Sequence, residues 1–137
     1  MPCKVKDKDT KPVQAITKVN MRIIPKGCMR AAYTDGWGDY WVDEKGILQI
    51  RAVEFENFMF SHYVLLHEYL EAVRCYRDGI TLGAIEQWDA DHPDDDDPGH
   101  LDGCPYRKHH QLSETLERVA CAQDGFDWDQ YDNSLPK

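Results

Sequence analysis

The chain has 137 residues, 42% of them hydrophobic and 30% charged, with a formal net charge of −9. That length and balance fit one globular domain with a core of its own. The acidic surplus excludes a general nucleic-acid binder, which needs a basic face. No segment approaches the roughly 20 apolar residues of a spanning helix, and residues 1–7 lack the apolar stretch of a secretory signal, so a cytoplasmic protein without membrane attachment is expected.

In chain order, residues 1–18 are polar and lysine-rich and are expected to form a flexible N-terminal arm. A single α+β domain over 19–137 follows. Met21-Arg22-Ile23-Ile24 reads as a short strand stopped by Pro25-Lys26-Gly27. Residues 34–38 read as a loop or bulge. Asp39–Asp43 and Ile47–Val53, separated by Glu44-Lys45-Gly46, are rich in aromatic and β-branched residues and predict an antiparallel hairpin. Residues 54–78 turn helical and end at Gly79. Phe58, Phe60, Tyr63, Val64, Leu66, Leu70 and Val73 leave this helix little polar circumference, which marks it as central.

A short helix over 81–88 comes next, with Thr81 as its cap. Residues 89–105 hold three prolines and two glycines, with six aspartates after Asp89, and read as an acidic loop. The last helix is expected over 106–123, with an apolar face of Leu112, Leu116, Val119 and Ala120. The aromatic tail 126–131 is expected to fold back onto the domain. Five scattered cysteines with no C-x-x-C pair argue against a ribbon-type or finger-type zinc site and for reduced, mostly buried thiols.

Within the central helix lies His67-Glu68-Tyr69-Leu70-Glu71, an H-E-x-x-E motif. Helical spacing puts His67 and Glu71 on one face, able to reach one metal ion, with Glu68 about 100° away in position to hold a water. Phe60, Val64 and Arg74 lie within about 60° of His67, so the acid and imidazole share an apolar face. A buried carboxylate needs a partner, and three remain open for Glu71: a metal, Arg74 or His67.

On the last helix His110, Glu114, Glu117 and Cys121 form a stripe opposite Leu112 and Val119. A histidine with carboxylates from two facing helices is how metal sites are built inside bundles. His110 is the first choice for a third ligand and Glu117 the second, while His109 points away and reads as a surface residue. Asp89 is expected to hydrogen-bond a ligand histidine, to cap its helix end or to stand exposed. The aspartates 94–97 fail the EF-hand spacing and read as a solvated loop. Cys75 reads as core. No phosphate loop, nucleophile elbow or dinucleotide fingerprint is present.

The order hairpin, H-E helix and second ligand-bearing helix, over about residues 38 to 122, resembles the minimal zincin-like metallopeptidase core. The resemblance implies that Glu68 activates water and that an edge strand, here Ile47–Val53, binds extended substrate. More narrowly, Leu66-His67-Glu68-Tyr69-Leu70-Glu71-Ala72, then Trp88-Asp89, Pro105-Tyr106, His110 and Glu117 are similar to a group of small phage and prophage proteins, which implies a host cytoplasm. Glutamate in place of the second zincin histidine makes Zn2+ the first expectation and leaves Mn2+ or Fe2+ open.

Three functions are thus in view. One is a metallohydrolase acting on a peptide or amide through metal-bound water, with Glu68 as base. Another is a non-enzymatic phage protein that binds a host protein and keeps a closed structural site of His67, Glu71, His110 and Glu117. The last is a metal-free domain with a buried salt-bridge network.

Overall fold

The computed structural model describes residues 16–30 and 36–134. Most of the expected arm, 1–15, lies outside them, as do residues 34 and 35 of the expected loop. Thr17 N–H donates to the Gly46 carbonyl and Ile16 packs on the core, so these residues already belong to the domain.

The molecule is α+β, a three-stranded mixed sheet followed by four helices. Strand β1 (Lys18–Ile24) runs parallel to β3 (Ile47–Val53), and β2 (Gly38–Val42) pairs antiparallel on its other side. The hairpin of β2 and β3 is the expected one, turning at Gly46 with φ 78°. The parallel partner is an addition, because strand pairing at a distance leaves no local signal. It puts β3 in the middle of the sheet. Ile47–Val53 is therefore hydrogen-bonded on both sides and has no free edge for a substrate, contrary to the resemblance. The edge beside the central helix belongs to β2.

Burial of β3 on both faces follows from its position. Leu48, Ile50 and Ala52 are fully buried on one face. On the other, Arg51 donates to Gln49 Oε1 at 2.7 Å, and Gln49 donates to Asp43 at 2.9 Å. Trp41 lies between the guanidinium groups of Arg30 and Arg51, 5.2 and 5.1 Å from its ring centre.

Helix α1 (Phe58–Arg77) opens with Asn57, whose side chain accepts from Met59 N–H. It ends with Arg74 and Arg77 near the negative end of its dipole and with Gly79 at φ 73°. Ser61 hydroxyl donates to the Val53 carbonyl at 3.0 Å, fixing the helix to the end of β3. Helix α2 (Leu82–Asp91) is capped by Thr81 as expected and runs three residues past Trp88. Pro98–His100 form a 3-10 turn within the acidic loop.

Helix α3 (Arg107–Gln123) turns its polar stripe inward, where the ligand reading needs it, and its apolar face outward. His109, His110, Ser113, Glu117 and Cys121 are buried, whereas Leu112, Leu116 and Val119 are 37, 37 and 54% exposed. The polar stripe faces α1. His109, expected at the surface, bonds Asp78 at 2.7 Å. The tail becomes helix α4 (Trp128–Ser134), and its Tyr131 is fully buried against Phe60 and Tyr63.

Two apolar clusters result. One gathers Tyr40, Leu48, Ile50, Cys75, Ile85 and Tyr106 at the α2 end; the other gathers Ala52, Phe60, Tyr63, Val64, Cys121 and Tyr131 at the α4 end. Burying each such large side chain contributes about 1.5–3 kcal/mol. His67 lies on α1 between the two. Cys75, Cys104 and Cys121 are free and buried as expected, but Cys28 is in a disulfide, contrary to an all-reduced set. No described helix is long and apolar enough to cross a membrane.

Candidate metal centre

The middle of α1 carries His67, Glu68 and Glu71, all at most 9% exposed. Helix α3 brings His110 against them. His67 Nε2 lies 3.1 Å from Glu71 Oε2 and 3.2 Å from His110 Nδ1, and His110 Nδ1 lies 3.0 Å from Glu71 Oε2. The three atoms form a nearly equilateral triangle. Ligands about 2.05 Å from a tetrahedral ion stand about 3.3 Å apart, so the triangle is close to the size zinc requires.

The opposite ends of these side chains are also occupied. His67 Nδ1 meets Glu117 Oε1 at 2.8 Å, and Glu117 in turn accepts from the Tyr131 hydroxyl. His110 Nε2 meets Asp97 Oδ1 at 2.8 Å. Glu71 Oε1 accepts from the Tyr40 hydroxyl at 2.8 Å. Each ring thus presents one nitrogen to the cluster and the other to a carboxylate. With an ion at the centre, both outer nitrogens are N–H donors, both inner ones are lone pairs, and every group is satisfied. Without one, the converging nitrogens must share protons with a single carboxylate oxygen.

The electrostatics carry the same signature. Burial works against the His67 cation, yet Glu117 and Glu71 hold its pKa well above the usual imidazole value. Burial likewise opposes the His110 cation, and Asp97 and Glu71 outweigh it, raising the pKa to about 10. Burial pushes the Glu71 carboxyl up, but His110 and His67 bring it down to about 2. These anions and cations replace one another's solvent. Glu68 differs: burial, and then the Glu71 charge, push its pKa well above the carboxylate range.

His67, Glu71 and His110 are the residues the structure brings together as possible ligands. Glu117 stands behind His67, on the ring nitrogen that faces away from the triangle. Glu114 bonds Arg118 at 3.4 Å on the outside of α3. Arg74 donates to the Leu70 carbonyl, and Glu71 turns to the histidines and Tyr40. Asp89 accepts from the Tyr106 hydroxyl. Among the carboxylates bonded to the two histidines, Asp97 is the one that sequence reading assigned to solvent. Nothing local distinguishes it from Asp94–Asp96, and only the turn at Pro98–His100 returns it to His110.

Two glycines permit the close approach. A Cβ on Gly38 would stand 2.7 Å from Val64 Cγ1 and 2.8 Å from Glu68 Oε1, and one on Gly99 would stand 2.8 Å from His110 Cγ. Trp37 meets His67 edge-on with ring centres 6.0 Å apart. A cleft of about 670 Å3 lies over the triangle, between β2, α1, α2 and the acidic loop. One wall is tied by Arg30, which bonds Asp39 through Nε at 2.6 Å and Nη2 at 3.0 Å, with Glu86 at 2.6 Å.

No protein-family model matches the chain, and no curated protein or solved structure is significantly similar to it. The likeness to zincins and to phage proteins therefore rests on the motif residues alone.

Proposed function

We propose that the protein binds one divalent metal ion, Zn2+ by its donor chemistry, and acts as a zincin-like metallohydrolase on a peptide or amide. The observation that carries this reading is the triangle of His67 Nε2, Glu71 Oε2 and His110 Nδ1, every member of which is held from behind by its own partner. Two imidazoles and a carboxylate are a known catalytic zinc set, and three protein ligands leave a coordination position open. Bound there, the ion supplies Lewis acidity toward a carbonyl oxygen and makes water acidic.

The chain's own residues would do the rest. Glu117 and Asp97 would fix the orientation of the two rings and hold a proton on each outer nitrogen, so that an ion could take the place of the proton on each inner one. Tyr40 holds Glu71 so that one oxygen faces the ion. Glu68, beside the triangle and lining the cleft, is placed to take a proton from water and pass it to a leaving nitrogen.

A non-enzymatic role, binding a host protein around a structural metal, is favoured by one observation: the exposed row of Leu112, Leu116 and Val119 on α3. Glu68→Gln separates the two. In the hydrolase the variant keeps its metal and loses cleavage of an unstructured casein substrate by about a hundredfold or more. Unchanged cleavage, or none by metal-loaded wild type, overturns the enzymatic reading.

A further inference from the structure

Carboxylates outnumber the histidines His67, His92 and His110 in the lining of the cleft over the triangle. Eight carboxylates line it: one from β2, two from α1, two from α2, and Asp95, Asp96 and Asp97 from the loop. No lysine or arginine is among its described lining residues. Arg30, behind Asp39 and Glu86, offsets one charge, and a divalent ion offsets two more. A negative excess remains inside low-dielectric walls, where its field is focused.

A second observation is independent of the loop. Glu68 is only 9% exposed, lines the cleft, and its carboxylate accepts no hydrogen bond among the described residues. A buried carboxyl without a protein partner is costly and is satisfied by what enters beside it. The walls between the acids are apolar, from Leu82, Ile85 and Pro93. Such walls suit the methylene stem of a long basic side chain whose charged head reaches the carboxylates.

We infer that the cleft takes a lysine or arginine side chain of a peptide, and that the hydrolase, if the reading above holds, acts on basic segments. An anionic or phosphorylated partner is disfavoured by the same field, since like charges meeting in a cleft cost several kcal/mol. Asp95 and Asp96 are exposed on the loop and draw the cation in; Glu68 and its neighbours meet it inside.

The test is binding rather than turnover, so that it stands apart from catalysis. Fluorescence anisotropy of the zinc-loaded full chain is read with short labelled peptides identical except for a central lysine, glutamine or glutamate. The lysine peptide is expected to bind about tenfold tighter than the glutamate peptide. Replacing Asp95→Asn and Asp96→Asn together should weaken it about threefold or more, while Glu54→Gln with Glu56→Gln, exposed and outside the cleft, should leave it unchanged. Asparagine at 95 preserves the acceptor that Asp97 N–H uses.

Equal binding of the three peptides, binding of none, or equal weakening by the two double variants would overturn the inference. The metal content of the same samples is measured alongside. A lysine preference in protein that takes up no metal sinks the hydrolase and leaves this inference standing. Metal uptake without a preference does the reverse.

Discussion

Glu117 and Asp97 occupy the same chemical position on two different rings, each accepting from the nitrogen that faces away from the triangle. Partners of that kind are worth about 10–100-fold in metal affinity. Glu117→Ala and Asp97→Ala should each weaken zinc binding by that range in competition with a chromophoric chelator, with the fold checked by circular dichroism. Glu114→Ala, on the exposed side of the same helix, should leave it unchanged. Gly38 makes a second prediction. The methyl group of Gly38→Ala must displace Val64 or Glu68, and overpacking of this sort costs about 1–3 kcal/mol in urea unfolding. Gly83→Ala on α2, where the nearest atom stands 3.9 Å from the new Cβ, should be neutral or stabilise by up to ~1 kcal/mol. At this scale the sequence was informative where helical spacing fixes geometry. His67 and Glu71 could be paired from their interval, and His110 was joined to them only by supposing that its helix faces theirs. Asp97 could not be placed, because its role depends on a loop path that no periodicity encodes, and the choice among a metal, Arg74 and His67 for Glu71 depended on side-chain direction.

Helix α3 shows why an amphipathic pattern misleads beside a polar site. The usual inference sends Leu112, Leu116 and Val119 inward, and the structure sends His110 and Glu117 there instead. Burial of these polar groups is offset by charge-assisted bonds to His67, Glu71, Asp97 and Tyr131. Stability should report the difference. Val119→Lys, at a half-exposed position, should shift the unfolding free energy by no more than ~0.5 kcal/mol. Ser113→Leu, at a fully buried one, should cost about 1–3 kcal/mol. The hairpin and the two long helices were legible because their turn residues, caps and apolar runs are local. The parallel pairing of β1, whose residues 21–24 were read as a short strand, and helix α4 were not. Strand pairing at a distance leaves no local mark, and the α4 tail was read only as aromatics that pack back.

The molecule as a whole places two apolar clusters at the ends of α1 and the charged triangle between them. Packing on both sides fixes the donor atoms while the cleft leaves one direction open, an arrangement that favours binding without rearrangement. Because an ion that binds the folded state and not the unfolded chain stabilises by mass action, zinc at a hundredfold excess over its Kd should add about 2.7 kcal/mol and raise the melting temperature. A chelator should reverse the shift, and His110→Ala should abolish it. The central claim, that His67, Glu71 and His110 hold a single ion, is tested most directly by counting metal in the purified protein by mass spectrometry after zinc loading and desalting. One equivalent in wild type, lost in His67→Ala and in Glu71→Ala and retained in Glu68→Gln, is the expected result. Wild type that retains no metal, or variants that retain as much as wild type, would contradict it.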